Sequence, residues 1–168
     1  MKKISTLLVA FLMIAGLTVH AQGEKPKSPP METKGKIGAA EVVINYSSPA
    51  TRDRAIYGEL VEYGKVWRAG ANEATTMKFS SAVKINGTKL AAGTYSFFVI
   101  PKEEGSWEII FNKEAKQWGA YKLDRSKDAL VSESETSKID KVENLTYVIE
   151  GNHIHLDWDT TSLSIKVD

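Results

Sequence analysis

Apolar and polar residues alternate with a period of two along most of this chain, and this alternation constrains the fold more than any other feature. Successive side chains of a β-strand point to opposite faces, so an apolar residue at every second position predicts a strand with one buried face. No ten-residue stretch carries a helical stripe, and residues 55–63 are the best place for one short helix. The alternation is clearest over residues 42–46, 75–79, 107–111, 145–149, 154–158 and 163–167.

Glycine and asparagine residues separate these segments where hairpins require a positive φ, as at Asn86-Gly87 and Gly151-Asn152. The four consecutive apolar residues from Phe97 to Ile100 predict a strand that is buried on both faces, at the centre of a sheet. About eight or nine strands at this spacing, with at most one short helix, predict an all-β fold. We expect an antiparallel β-sandwich or a jelly-roll-like fold.

The first 21 residues have the three-part layout of a secretory signal peptide. Two lysines follow Met1, an apolar run extends from Ile4 to Val19, and His20-Ala21 completes a cleavage-like site. The run is shorter than the ~20 apolar residues that a membrane span prefers. We therefore expect cleavage after Ala21, export to the periplasm or the medium of a Gram-negative-type cell, and no transmembrane segment in the mature chain.

Composition divides the rest of the chain into a leader and one domain. Residues 22–38 contain Pro26, Pro29 and Pro30 with scattered charges, which predicts an extended leader before a single domain at residues 39–168. The chain has no cysteine, which excludes disulfides and thiol chemistry. Its formal net charge is +1, and this balance argues against a nucleic acid partner, which requires a basic face.

Residues 57–75, which read Tyr-Gly-Glu-Leu-Val-Glu-Tyr-Gly-Lys-Val-Trp-Arg-Ala-Gly-Ala-Asn-Glu-Ala-Thr, resemble an exported bacterial family of unknown function, DUF2911. The further pieces that fit in the same order are Ser47-Ser48-Pro49, Arg52 and Arg54, and residues 90–96, 107–113 and 118–121. One departure is Asp53-Arg54, where the family usually has Gly-Arg. The resemblance implies export and a shared fold. It does not indicate an activity, because none is established for the family.

The same segment contains a first group of candidate ligand-binding residues, which are Trp67, Arg68, Asn72 and Glu73. Arginine offers a planar donor fork for a carboxylate or for sugar hydroxyls, and tryptophan offers a stacking face. The alternative interpretation is structural: a buried ion pair of Arg68 with Glu73, and an Asn72 side chain that caps the loop backbone.

A second group is His153, His155, Asp157 and Asp159, which alternate on the predicted last strands and so share one face. Two histidines at this spacing with nearby carboxylates can begin a divalent metal site. The alternative is a solvated polar face opposite the core, and we expect no metal and no other cofactor.

A third group is aromatic and consists of Tyr95, Trp107, Trp118 and Tyr121. In an exported β-domain such rings suit the stacking of sugars, with Asn112 or Gln117 bonding their hydroxyls. The alternative is core packing, the usual place for large aromatic side chains in a small domain.

The chain lacks the motifs of the common catalytic sites, including Gly-x-Ser-x-Gly, the phosphate-binding loop and the zinc-protease helix. We therefore expect a non-catalytic binding or structural module whose partner is a glycan, a small polar ligand or an envelope protein. The alternative is an envelope-directed hydrolase that uses Glu73 as its acid or base with Arg68 and Asn72 as charge stabilisers. The expected ligand-binding residues are Arg54, Trp67, Arg68, Asn72, Glu73, Asn112, Trp118 and Tyr121.

Overall fold

The computed structural model describes residues 26–168, in which the chain forms nine β-strands and a single 3-10 turn at Arg125–Lys127. The predicted all-β fold with eight or nine strands is confirmed; residues 55–63 form turns rather than a helix. The predicted signal peptide lies outside the described residues. The strands are β1 (Pro30–Ile37), β2 (Ala40–Ser47), β3 (Thr76–Phe79), β4 (Val83–Ile85), β5 (Thr88–Leu90), β6 (Gly93–Ile100), β7 (Trp107–Asn112), β8 (Asp128–Glu150) and β9 (His153–Lys166).

Seven of the strands form one antiparallel sheet in the order β1-β2-β3-β6-β7-β8-β9, while β4 and β5 form a separate hairpin. The sheet curls until β1 lies against the second half of β8. There the Thr33 hydroxyl donates to the Tyr147 carbonyl at 3.0 Å, and Gly35 packs on the Ile149 side chain. The two halves of the curled sheet therefore face each other across one core, as the layers of a sandwich do.

Strand β1 corrects the predicted extended leader, because Pro30–Ile37 pairs with β2 over its whole length. The segment has little apolar character because it is an edge strand whose lysines and glutamate face solvent, and Ile37 is its one fully buried residue. Proline is tolerated at the first position of such a strand, where Pro30 stands. The polar composition of residues 30–37 therefore reflects a solvent-exposed strand rather than an extended leader.

The core lies inside the curled sheet, where the alternating apolar positions of the strands converge. A smaller cluster on the outer surface of the sheet joins Phe98 and Ile110 to Ala74 of a covering loop. As a result β6 is buried on both faces, as its run of four apolar residues predicted. Within residues 26–168, no helix is both long and apolar enough to cross a membrane.

Candidate functional site

The residues of the first group lie on a loop, residues 68–75, that leaves the sheet and returns to it beside β6. Before the loop, the Trp67 backbone exchanges two hydrogen bonds with Val99, at 2.7 and 2.9 Å. After it, the Thr75 carbonyl accepts from the Phe97 amide at 2.7 Å. The Thr75 amide donates to the Arg68 carbonyl at 3.2 Å, so the two ends of the 68–75 loop are held together.

Hydrogen bonds fill the interior of the 68–75 loop. The Ala69 carbonyl accepts from the hydroxyls of Thr75, at 2.9 Å, and of Tyr147, at 2.8 Å. The Trp67 indole donates to the Gly70 carbonyl at 3.1 Å. Ala69 is fully buried with a φ of 52°, a left-handed conformation that a residue with a side chain adopts only when its surroundings enforce it. The Trp67 indole nitrogen and the Ala69 carbonyl thus hold the fold together.

Asn72 and Glu73 lie on the outer side of the same loop. Asn72 has a φ of 58°, and its side chain donates to the Ser47 hydroxyl at 3.2 Å. The Asn72 carbonyl accepts from the Gly119 amide at 3.1 Å, which joins the loop to the segment around Trp118. The Asn72 side chain also donates to the Ser28 carbonyl at 3.4 Å, so its hydrogen bonds go to residues outside the 68–75 loop rather than to the backbone of that loop.

Glu73 is exposed, and it forms no ion pair with Arg68. It borders a cavity of about 170 Å³ together with Asn45 and Ser47. Arg68 borders a different cavity. The structure therefore does not form the ion pair of the structural interpretation, and the two residues do not face a common space.

Arg68 is half-buried and opens onto a cleft of about 300 Å³, hereafter the Arg68 cleft. Its Nε atom is buried and has no hydrogen-bond partner. Burial lowers the pKa of Arg68, with an opposing contribution from Tyr121. The residues that line the cleft are Leu60, Val61, Glu62, Lys65, Val66, Trp67, Arg68, Ala120 and Tyr121.

The electrostatics of the Arg68 cleft favour an anion. Arg68 and Lys65 contribute two positive charges to its lining, and Glu62 contributes one negative charge. None of the ion pairs between described residues involves Arg68. A guanidinium keeps its charge at any ordinary pH. The cleft therefore presents a partly desolvated cation to whatever enters it.

Arg54 and Asn112, two other predicted ligand-binding residues, form hydrogen bonds with neighbouring groups of the protein. Arg54 donates from Nε to the Thr51 carbonyl at 2.9 Å and from Nη2 to the Ala50 carbonyl at 2.8 Å. Asn112 is buried, and its amide donates to the Asp124 carbonyl at 2.9 Å. It also donates to Asp128 Oδ1 at 2.8 Å, while its own oxygen accepts from the Glu114 amide at 3.0 Å.

The turn before residues 55–63 retains its tight geometry despite the Asp53-Arg54 departure. Arg52 and Asp53 have φ values of 50° and 55°, and the Arg54 amide donates to the Thr51 carbonyl at 3.1 Å. Asp53 thus adopts a left-handed conformation that glycine adopts more easily.

The aromatic group does not form one platform. Trp107 and Tyr95 are buried, and their polar atoms donate to the carbonyls of Lys102 and Ala91, both at 2.9 Å. Trp118 and Tyr121 are 64% and 88% exposed. Tyr121 lines the Arg68 cleft and Trp118 does not, so the structure groups Trp67, Arg68 and Tyr121 among the predicted residues.

The histidine group is only partly assembled. The rings of His153 and His155 stack with centroids 5.8 Å apart, as expected for one strand face. Asp159 has a φ of 54° and lies beside an irregularity in the pairing of β8 with β9. Over residues 26–168 no three histidine, aspartate or glutamate side chains converge as metal ligands would.

Tyr57 is a residue that sequence reasoning missed. Its ring packs against Trp107 at 4.8 Å between centroids, and against Trp67 and Trp158 at 6.2 and 6.3 Å. Its hydroxyl is buried and has no hydrogen-bond partner. Burial raises the pKa of Tyr57 strongly, and Asp159 and Asp157 raise it further. The available signal was its place at the start of the 57–75 segment, directly before Gly58.

Comparison with known proteins gives one match. A family model described as "Protein of unknown function (DUF2911)" matches residues 28–167. No curated protein and no solved structure matches the chain.

Proposed function

The chain belongs to the DUF2911 family, and we propose that it is an exported, non-catalytic binding module that holds a small anionic ligand in the Arg68 cleft. The observation that carries the proposal is the half-buried Arg68 guanidinium, whose Nε has no acceptor among residues 26–168. Export rests on the signal-peptide layout of residues 1–21.

Desolvation is the reason that Arg68 favours an anion. A buried charged group without a partner loses hydration and gains nothing in return. A carboxylate that enters the cleft supplies acceptors to the planar guanidinium, which binds carboxylates through paired hydrogen bonds. Lys65 adds to the attraction, and its effect decreases with salt because it is exposed.

The walls of the Arg68 cleft favour a ligand with an apolar part. Leu60 is 48% exposed and Tyr121 is 88% exposed, so both present apolar surface beside the cation. Large apolar side chains that line a concave site commonly contact a ligand. The ligand class that fits is therefore a small carboxylate with an aliphatic or aromatic body.

The arrangement of Glu73 supports a binding role over hydrolysis. A hydrolase that used Glu73 with Arg68 would need both groups at one reacting centre. Glu73 instead borders the cavity beside Ser47, and its carboxylate has no second acid as a neighbour in that lining. The hydrolase alternative would have to work without Arg68.

The test is a titration of the purified protein with benzoate and with phenylacetate, followed by calorimetry and by thermal unfolding. We expect saturable binding that stabilises the protein, and an affinity about tenfold lower or worse in Arg68→Ala because a charge-assisted pair is lost. Arg54→Ala is the matched control, since Arg54 lies outside the cleft, and it should bind as the wild type does. Equal affinity in Arg68→Ala, or no saturable binding of either carboxylate, contradicts the proposal.

Export has its own test. The gene product is expressed in a Gram-negative host, the periplasmic fraction is collected, and the first residues of the protein are determined. We expect a periplasmic protein that begins at Gln22. A cytoplasmic protein that retains Met1 rules out the signal peptide.

A further inference from the structure

A second, larger cavity lies beside Tyr57 and has a volume of about 520 Å³, hereafter the Tyr57 cavity. The 55–63 loop borders both spaces. Its residues 55–57 and 63 line the Tyr57 cavity, and its residues 60–62 line the Arg68 cleft. The volume falls in the range of small-molecule sites, about 300 to 1,000 Å³.

Tyr57 lines this cavity, and its hydroxyl is buried without a hydrogen-bond partner among residues 26–168. Contacts with Trp67, Trp107 and Trp158 hold the ring, so the hydroxyl cannot swing away to find a partner. Buried hydroxyls in folded proteins nearly always have a partner, and one without a partner destabilises the protein. Because burial keeps the phenol protonated, it is available as a hydrogen-bond donor.

The charges that line the Tyr57 cavity cancel, in contrast to the positive Arg68 cleft. Lys102 and Lys138 are balanced by Glu103 and Asp159, and Lys102 is already paired with Glu133 at 2.5 Å. A lining without net charge gives no general preference for an ion. It favours a neutral ligand that is polar enough to use the groups present.

Hydroxyl side chains supply most of the remaining polarity of the lining. They are Thr136, Ser137, Thr160 and Thr161. Each can donate and accept a hydrogen bond, as can each hydroxyl of a sugar. Tyr63, which is 38% exposed, adds the partly accessible face of an aromatic ring. Rings and hydroxyls together match a polyhydroxylated molecule, which has apolar C–H faces and a polar rim.

We propose that the Tyr57 cavity binds a neutral, polyhydroxylated ligand of the sugar class, with the Tyr57 hydroxyl donating to one of its oxygens and Asp159 accepting from another. This site is separate from the Arg68 cleft and does not depend on the function proposed for it. Ordered water alone is the competing occupant. One water occupies about 30 Å³ in the liquid, so water at Tyr57 fills only a small part of the cavity.

The test uses the intrinsic tryptophan fluorescence of the purified protein, because three tryptophans surround Tyr57. N-acetylglucosamine, glucose and sorbitol are the probes. We expect a saturable change in emission with at least one of them and an affinity about tenfold lower in Tyr57→Phe, the effect of one lost hydrogen bond to a ligand. Since the Tyr57 hydroxyl has no partner, Tyr57→Phe should fold and unfold as the wild type does.

Two controls separate this site from its neighbours. Trp118→Phe removes the exposed tryptophan and should leave the emission change intact, because the reporters are the buried rings. Arg68→Ala should bind the sugar with unchanged affinity while losing benzoate, so the two proposals fail independently. The inference is overturned if no probe gives a saturable change, if Tyr57→Phe binds with the wild-type affinity, or if the change disappears in Trp118→Phe.

Discussion

The interior of the 68–75 loop and the 55–63 loop lie on either side of Trp67 in the sequence, and they differ in how their buried polar groups are satisfied. In the interior of the 68–75 loop, the Ala69 carbonyl accepts hydrogen bonds from two hydroxyl groups, and the Trp67 indole donates one to the Gly70 carbonyl. In the 55–63 loop, the Tyr57 hydroxyl has no partner among residues 26–168, and the Nε of Arg68, at the start of the other loop, has none either. A buried group that the protein satisfies holds the fold together, whereas one that is left unsatisfied is available to a ligand.

Two tyrosines with buried hydroxyls, Tyr147 and Tyr57, illustrate the same difference. Tyr147 donates to the Ala69 carbonyl at 2.8 Å, while the hydroxyl of Tyr57 donates to nothing. Burial raises the pKa of both phenols. Both side chains are phenols, and their hydroxyls differ in whether they have a partner, so substitutions at the two positions separate a structural role from a ligand-binding role.

The largest effect should come from Gly70→Ala, which breaks the packing of the 68–75 loop. An added Cβ would lie 2.9 Å from the Thr75 hydroxyl and 3.1 Å from the Ser47 carbonyl, so the loop must move. We expect a loss of about 2–3 kcal/mol in the free energy of unfolding, the usual cost of overpacking. Urea titration measures it. Gly64→Ala has open space around the new Cβ and should lose only about 1 kcal/mol, from its positive φ.

The next largest effect on stability is expected from the comparison of Tyr147 with Tyr57. Tyr147→Phe leaves the Ala69 carbonyl with one bond fewer and should lose about 1–2 kcal/mol of stability. Tyr57→Phe removes a hydroxyl that bonds to nothing, so its stability should equal or exceed that of the wild type. Denaturant unfolding of both variants checks the comparison. A similar loss in both would show that Tyr57 has a structural partner and would end the contrast between the loops.

A smaller effect is expected at the turn that leads into the 55–63 loop. Asp53 has a φ of 55° and a fully exposed side chain, so Asp53→Gly should raise stability by about 0.5 kcal/mol by removing strain. Asp53→Asn is the control, because asparagine tolerates the same conformation and lacks the charge that faces Lys141 at 3.7 Å. Equal gains in both variants would assign the effect to charge rather than to backbone conformation.

The smallest effect is the pH dependence of the same turn. The Glu143 carboxylate accepts hydrogen bonds from the Thr51 hydroxyl and from the Arg52 amide, and these bonds lower the pKa of Glu143. Because the folded pKa is below the ordinary value of 4.5, the stabilisation is complete above that value and is lost as pH falls through the folded pKa. The free energy of unfolding, measured from neutral pH into this acidic range, should change less with pH in Glu143→Gln than in the wild type.

Periodicity was sufficient to predict most of the sheet. The alternation identified the strands with a buried face, and the Phe97–Ile100 run identified the strand that is covered on both sides. It failed at β1, because this strand pairs along its length with β2 alone and contacts β8 at only a few residues, so most of its side chains remain polar and exposed. The curl that brings β1 to β8 depends on contacts between distant residues, which no local pattern contains.

The candidate site was predictable only in part. Trp67, Arg68 and Tyr121 line one cleft, so three of the predicted ligand-binding residues are neighbours in the fold. Glu73 was grouped with Arg68 by proximity in sequence, but the loop turns the two residues toward different spaces. Tyr57 was missed because two features single it out and neither is visible in the local sequence. Its ring packs on tryptophans from distant segments, and its buried hydroxyl lacks a partner among residues 26–168.

The contact of Thr33 with Tyr147 closes the curled sheet across 114 positions of the chain. During synthesis, β1 and β2 can pair at once as a hairpin, yet Tyr147, whose carbonyl closes the sheet, is made 114 residues after Thr33. Long-range pairings of this kind are slow to form. The nascent protein must therefore pass through an open sheet, and closure is a late event in its assembly.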